Sequence, residues 1–254
     1  MHQPTLRVLE ILELVARSGG PLRLTDFSRE LDIPKSTLLP ILQTLCQKRY
    51  LFQDERGLYG AGTALFSMGS TFSGCYPLLD YVNQQLDILV QALQETCYFG
   101  ALEHSEVLYL SKKDSSQPLR VLTGTGRRML AYATSLGKAM LMDCTESELR
   151  QLYPNGLTAL TANTITDFPA LAQQLAQARA DGYAWEVEES TEHVRCFAAP
   201  IRKHGNIIAA ISVAIPMFRY EEEQRPVIVA ALLDHAEQIS KTIEQTDAHF
   251  GELF

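Results

Sequence analysis

Ile33-Pro34-Lys35-Ser36-Thr37-Leu38-Leu39-Pro40-Ile41-Leu42-Gln43-Thr44-Leu45 is the stretch whose reading decides the fold. Leu38, Ile41, Leu42 and Leu45 recur at the spacing that lines one face of a helix, so this face is buried. The opposite face carries Ser36, Thr37 and Gln43 beside Lys35, short hydrogen-bonding groups and a cation suited to base edges and phosphates. Pro40 shares that outer side. It removes one intrahelical bond and crowds the carbonyl of Ser36, which predicts a kink or a tightening of the helix.

Upstream, Val8, Ile11, Leu12 and Val15 mark a first amphipathic helix, with Gly19-Gly20 as its stop. Thr25 is the expected N-cap of a second helix with Phe27 and Leu31 inward, and Asp32-Ile33-Pro34 turns into the third. Downstream, Tyr50-Leu51-Phe52-Gln53 and Leu58-Tyr59 flank the polar turn Asp54-Glu55-Arg56-Gly57, as two short strands of a hairpin would. The pattern is helix, helix, turn, helix, wing.

The chain has 254 residues and 46% hydrophobic content, enough for two domains with a sizeable core. No apolar run approaches a membrane span, and Met1-His2-Gln3-Pro4 lacks signal-peptide character, so a cytoplasmic protein without membrane partners is expected. Cys46, Cys75, Cys97, Cys144 and Cys196 are odd in number, dispersed and never in CxxC spacing, which points to reduced thiols and no zinc ribbon or cofactor. Residues 1–60 carry a net charge of +1, and the remainder carries the rest of the chain's −8, an acidic bulk behind a near-neutral head. Such a head approaches DNA best when several are presented together, so dimerisation is expected.

After residue 62 come helix formers of low charge beginning Thr63-Ala64-Leu65-Phe66, then a long helix from Pro77 with Leu79, Val82, Leu86, Leu89, Val90 and Leu93 in register. Tyr98 to Leu102 and Val107 to Leu110 read as strands about the turn Glu103-His104-Ser105-Glu106, followed by Leu119-Arg120-Val121-Leu122. Gly124-Thr125-Gly126 lacks the later residues of a phosphate loop. In Met129-Leu130-Ala131-Tyr132-Ala133-Thr134-Ser135-Leu136-Gly137-Lys138-Ala139, small residues precede a helix start. The free N–H groups there suit a carboxylate, and Thr134 or Ser135 equally suits a capping role. Helices are expected over 145–153 and 168–180, the second capped by Asp167 and stopped by Gly182. Strands follow at 183–187, 196–202 and 207–215, the last two joined by His204-Gly205-Asn206. A final helix spans 221–245 with Val227, Val229, Ala230, Leu233, Ala236, Ile239 and Ile243 on its apolar side.

The densest chemistry is Trp185-Glu186-Val187-Glu188-Glu189 with His193-Val194-Arg195-Cys196. Strand alternation puts Glu186 and Glu188 on one side without separating a lining carboxylate from a solvated one, and Glu189 and Glu192 are expected on a solvated face, as charged residues usually are. Two alternatives use the same residues: Cys196 as nucleophile with His193 as base, or Cys196, His193 and Glu188 as metal or redox ligands. The first has poor geometry, since residues three apart on a strand face opposite ways, and the second lacks ligand spacing.

Leu6-Arg7-Val8-Leu9-Glu10-Ile11-Leu12-Glu13-Leu14, Ile33-Pro34-Lys35-Ser36-Thr37 and Leu58-Tyr59-Gly60-Ala61-Gly62 resemble the opening of the isocitrate lyase regulator (IclR) type of bacterial transcription regulators, and the resemblance extends over nearly the whole chain. It implies an α+β protein with an N-terminal winged helix-turn-helix over 1–62, a linker helix over 63–76 and a GAF-like α/β effector-binding domain over 77–254. The implied activity is ligand-responsive regulation of catabolic genes without catalysis. The implied partners are a pseudo-palindromic DNA operator, a small organic effector of carboxylate or sugar-acid type, and further copies of the chain in a dimer or tetramer. DNA contacts are expected from Lys35, Ser36, Thr37, Leu39, Gln43 and Arg56. Effector contacts are expected from Met129, Thr134, Ser135, Leu136, Glu186, Cys196 and Ser212. Glu186 stands where the family usually has aspartate, Leu136 where it has a small residue, and Ala214 where it has a second hydroxyl. The longer acid at 186 would shrink or re-aim the pocket, and Leu136 and Ala214 imply a more apolar one, for a ligand with an apolar body and one polar head, which Tyr98, Phe99 and Tyr132 would cover. Pro40 replaces a polar or basic residue common in the family.

Overall fold

The computed structural model describes residues 2–74, 77–118 and 124–246, and the chain divides into two compact units, Met1–Pro77 and Leu78–Phe254. Cys75 and the strand expected at Leu119-Arg120-Val121-Leu122 lie outside the described residues. Among the described residues no helix is long and apolar enough to cross a membrane.

In the first unit, α1 (Gln3–Arg17), α2 (Leu24–Leu31) and α3 (Lys35–Gln47) pack around Ile11, Phe27, Leu38 and Leu42, all sealed from solvent. Helix α2 starts earlier than Thr25 suggests: Arg23 is its N-cap, and the Asp26 carboxylate accepts the Arg23 N–H at 2.8 Å. An acid three residues into a helix satisfies an orphan backbone donor as well as a capping hydroxyl does. Asp32 takes a left-handed conformation (φ 51°) that ends α2 and turns the chain into α3. Pro40 does not interrupt α3, which continues to Gln47.

β1 (Leu51–Gln53) and β2 (Tyr59–Ala61) form the antiparallel wing. Its turn is set by the Asp54 carboxylate, which accepts the N–H groups of Arg56 and Leu58 at 2.9 and 2.8 Å. Leu22 adds a paired rung to Tyr59, with two 2.8 Å backbone bonds that no sequence pattern announces. Tyr59 then meets Phe27 edge to face, 6.0 Å between ring centres. Helix α4 (Thr63–Gly74) follows, where the connector was expected.

The second unit begins with α5 (Pro77–Leu93) and holds one antiparallel sheet in the order β5-β4-β3-β8-β7-β6. These strands are β3 (Thr96–Glu103), β4 (Glu106–Lys113), β5 (Arg128–Leu130), β6 (Ala184–Val187), β7 (Val194–Lys203) and β8 (Asn206–Pro216). His204 (φ 50°) and Gly205 (φ 83°) make the two-residue turn between β7 and β8, the mirror-image turn that matches strand twist.

Helices α6 (Ser135–Leu141), α7 (Glu146–Leu152) and α8 (Phe168–Asp181) cover one face over a core that includes Tyr98, Leu136, Leu171 and Ala198. Helix α9 (Arg225–Thr246) packs on β7 and β8. Helix α5 is tied to α9 by Gln85–His235 at 2.5 Å and to β4 by Asp87–Lys113 at 2.7 Å. Asp167 and Gly182 bound α8 as expected, and Thr145, expected as the first residue of α7, is its N-cap. The inward face of α9 differs from expectation over its first turns. Ile228 and Leu232 are buried there, and Val227 is 66% exposed. The helix carries apolar residues nearly all round at its start, so periodicity alone does not fix its rotation.

Candidate nucleic-acid interface and effector cavity

On α3, Leu38, Leu42 and Leu45 point inward. Lys35, Ser36, Leu39, Pro40, Gln43 and Thr44 remain exposed, with Thr37 half-buried at the margin. The helix begins where the Pro34 carbonyl accepts the N–H groups of Thr37 and Leu38 at 2.9 and 3.1 Å, which leaves the side chains of Lys35 and Ser36 clear of the core. Arg56 is exposed at the tip of the wing. A convex helix bearing hydroxyl, amide and cationic groups, with a cation on an adjacent hairpin, has the chemistry to meet a duplex groove and its phosphates.

In the second unit, strand register gathers a different set of groups. Glu186 on β6 lies opposite Cys196 on β7, which lies opposite Ala214 on β8. In the neighbouring row, Ser212 lies opposite Tyr98 on β3. Across this surface are Thr134 and Ser135 at the start of α6, Met129 of β5, and Ser190 and Thr191 of the loop after β6. Together they line a small, partly open cavity. Tyr98 and Tyr109 meet edge to face at 5.4 Å along one wall.

Of the residues expected to bind an effector, Met129, Thr134, Ser135, Glu186, Cys196 and Ser212 border this cavity. Leu136 does not: it follows Ser135 by one helical step, about 100° round the axis, and packs into the core. Phe99 lies on the sheet face opposite Tyr98 by alternation. Tyr132 is buried with its hydroxyl bonded to the backbone of Thr158, and it meets Tyr153 instead of the cavity. The lining mixes hydroxyl-bearing residues (Tyr98, Tyr109, Thr134, Ser135, Ser190, Thr191 and Ser212) with the apolar Met129, Val194 and Ala214, so polar and apolar parts of a ligand both find partners there.

The open choice at Thr134 resolves toward capping, since its hydroxyl accepts the Gly137 N–H at 3.1 Å. Ser135 borders the cavity together with Cys196. Glu186 is fully buried. Its carboxyl accepts the Glu189 N–H at 2.8 Å and the Ser190 hydroxyl at 3.2 Å. Burial pushes the Glu186 carboxyl above the ordinary carboxylate range, and its hydrogen bonds only partly oppose that. Burial, with the negative neighbour Glu186, pushes the Cys196 thiol well up too, so it is no ready nucleophile.

Glu188 and Glu189 depart from the sequence reading. Strand β6 ends at Val187 and Glu188 is left-handed (φ 55°), so alternation no longer governs its side chain. The Glu188 carboxylate accepts the His193 N–H at 2.7 Å and closes the loop, while the His193 side chain is 87% exposed. His193, turned to solvent, and the half-buried Cys196, whose thiol is held protonated, therefore form no catalytic pair. Glu189, expected on a solvated face, is buried and ion-paired with Lys138 of α6. Lys138 also donates to the Gln174 amide oxygen at 2.6 Å. Thr164 donates its hydroxyl to the Glu189 carbonyl at 2.6 Å, fastening the loop from a third side. Glu192 is exposed as expected. Among the described residues no group of three His, Cys, Asp or Glu side chains is placed to hold a metal ion.

Sequence reasoning missed Tyr109, Ser190, Thr191, Val194 and the anchoring role of Lys138. For Lys138 a signal exists, a single cation within the apolar run Leu136 to Leu141, which implies a buried partner. For Ser190 and Thr191 none does, because the loop's return path depends on Glu186 and Thr164.

Residues 76–241 match the family described as "Bacterial transcriptional regulator IclR C-terminal", and residues 5–55 match "IclR helix-turn-helix domain". The HTH-type transcriptional regulator BhcR of Paracoccus denitrificans is 33% identical over 92% of this chain and 85% of its own length. Among solved structures, an IclR transcriptional regulator from Alicyclobacillus acidocaldarius matches with a TM-score of 0.85 at 22% identity, over 95% of this chain and 98% of that one. An IclR homolog from Microbacterium hydrocarbonoxydans, complexed with 4-hydroxybenzoate, matches with a TM-score of 0.77 at 23% identity, over 93% and 98%.

Proposed function

The chain belongs to the IclR family of bacterial transcriptional regulators, DNA-binding proteins and not enzymes, and on that premise we propose that it senses a small polar carboxylic acid and changes its grip on DNA in response. In this reading residues 1–62 bind DNA, 63–76 connect, and 77–254 bind the effector. Lys35, Ser36, Thr37, Leu39 and Gln43 enter the major groove, and Arg56 holds backbone phosphate. Two such heads in a homodimer, or pairs of them in a tetramer, span a pseudo-palindromic operator beside catabolic genes in the cytoplasm.

The observation that carries the effector reading is Glu186. It is a fully buried carboxyl raised toward its protonated form, bordering a hydroxyl-lined cavity at the start of α6. A protonated carboxyl donates a hydrogen bond, which an acid's carboxylate accepts, and the surrounding hydroxyls match further oxygens on the ligand. The cavity's small volume restricts the ligand to a compact acid. That an IclR homolog is complexed with 4-hydroxybenzoate, a hydroxylated acid, agrees with this chemistry. Occupancy would bias one arrangement of the effector domains, and the connector would pass it to the spacing of the heads.

A thermal-shift screen of the full chain against small acids tests the proposal. Compact hydroxy and oxo acids are expected to raise Tm with concentration. A response confined to bulky acids with apolar bodies, or to none, overturns it. Genome-wide mapping of bound sites then gives the genes, whose products define the ligand class.

A further inference from the structure

Successive residues of α3 are separated by about 100° around the axis. With Leu38, Leu42 and Leu45 inward, Pro40 falls close to the outward pole, one turn from Ser36 and beside Gln43. Leu39 stands on the flank of that pole, one turn from Lys35 and from Gln43. Pro40 is exposed and Leu39 is 39% exposed, so neither is spent on the core. Thr44, the next hydroxyl along this face, donates to the Pro40 carbonyl at 2.8 Å and is thereby committed to its own backbone. Pro40 is thus an apolar group at the centre of a face otherwise made of Lys35, Ser36 and Gln43, and Leu39 is a second one on its flank. Proline offers ring methylenes and no N–H, and leucine offers methyl groups.

Major-groove base edges present hydrogen-bond donors and acceptors, and one apolar feature, the 5-methyl group of thymine. A polar edge pressed against Leu39 and Pro40 would lose water without gaining a partner, which is unfavourable. A thymine methyl there is buried at a gain. We propose that Leu39 and Pro40 are thymine-reading residues, and that each operator half-site places thymine methyl groups against them. The inference rests on the reading of α3 as the helix that enters the major groove, and it adds to that reading the base it selects.

The test starts from duplexes selected out of a random pool by the full chain. Affinity is measured for the selected duplex and for versions in which each thymine in turn is replaced by deoxyuridine, which lacks only the methyl group. One or two positions per half-site are expected to weaken binding about fourfold, the worth of one buried methyl group. In Leu39→Ala or Pro40→Ala that difference should vanish at the corresponding position. Both variants place a strong helix former on an exposed site, and their melting curves check that they fold. If deoxyuridine weakens binding nowhere, or weakens it equally in both variants, the thymine assignment is overturned while DNA binding stands. Failure to enrich any duplex overturns the major-groove reading and the assignment with it.

Discussion

The Lys138 ammonium and the Glu189 carboxylate meet inside the second unit with 1% and 5% of their residue surfaces exposed. Burial lowers the affinity of Lys138 for its proton, and the attraction of Glu189 opposes this. The pair joins α6 to the loop that carries Ser190 and Thr191 over the cavity. Removing one member strands a charge in the interior, so Glu189→Ala should cost about 3–5 kcal/mol of stability. The double variant Lys138→Met with Glu189→Leu, which removes both charges, should lose much less. Urea unfolding of the three proteins measures this, and equal losses in single and double variants would show that charge stranding is not the cause.

Glu186 gives the pH dependence a sign. Its folded carboxyl holds its proton more tightly than the unfolded one, so the native state carries more protons between the ordinary carboxyl value, about 4.3, and its raised native value. Stability therefore falls as pH rises through that window. Glu186→Gln cannot ionise, so its Tm should exceed that of the parent protein at neutral pH, and the two should converge in acid. Parallel Tm curves across pH would contradict the buried-carboxyl account.

Gly137 is fixed by space. A Cβ there would stand 2.1 Å from the carbonyl oxygen and 2.3 Å from the Cα of Ala131, main-chain atoms that no rotamer change can move aside. Gly137→Ala should force the start of α6 outward and weaken the cap between the Gly137 N–H and Thr134. The expected cost is about 1–3 kcal/mol, together with loss of any acid-induced thermal shift. A variant as stable and as responsive as the parent would mean that α6 yields more easily than its packing implies.

Pro40→Arg restores a cation at the outward pole of α3. It should steepen the logarithmic salt dependence by about one phosphate contact, and so tighten binding at low salt, while losing the methyl discrimination at the thymine that Pro40 reads. An unchanged slope would place position 40 away from the phosphate backbone.

The helix-turn-helix and wing were legible because each depends on local signals: helical spacing in Leu38, Leu42 and Leu45, a left-handed stop at Asp32, and a polar turn at Asp54 to Gly57. Five of the described strands of the second unit and the ends of α8 at Asp167 and Gly182 were legible for the same reason, whereas the short β5 was not. Errors arose where a side chain's environment comes from residues distant in sequence. Glu189 reads as solvated until Lys138, 51 positions earlier, is folded beneath it. Leu136 and Ser135 are neighbours in sequence that a helical step sends to core and cavity.

By itself, then, the sequence determined the order of elements, the inward face of α3 and the polar character of its outer face, because helical and strand periodicities are properties of adjacent residues. Only the tertiary structure decided that Glu186, Cys196 and Ser212 share a wall with Tyr98 and Ser135, that the wall is rich in hydroxyls, and that Glu189 is an anchor and not a surface charge. Strand register and the path of a loop set those distances, and both are fixed by packing between segments that the linear pattern does not bring together.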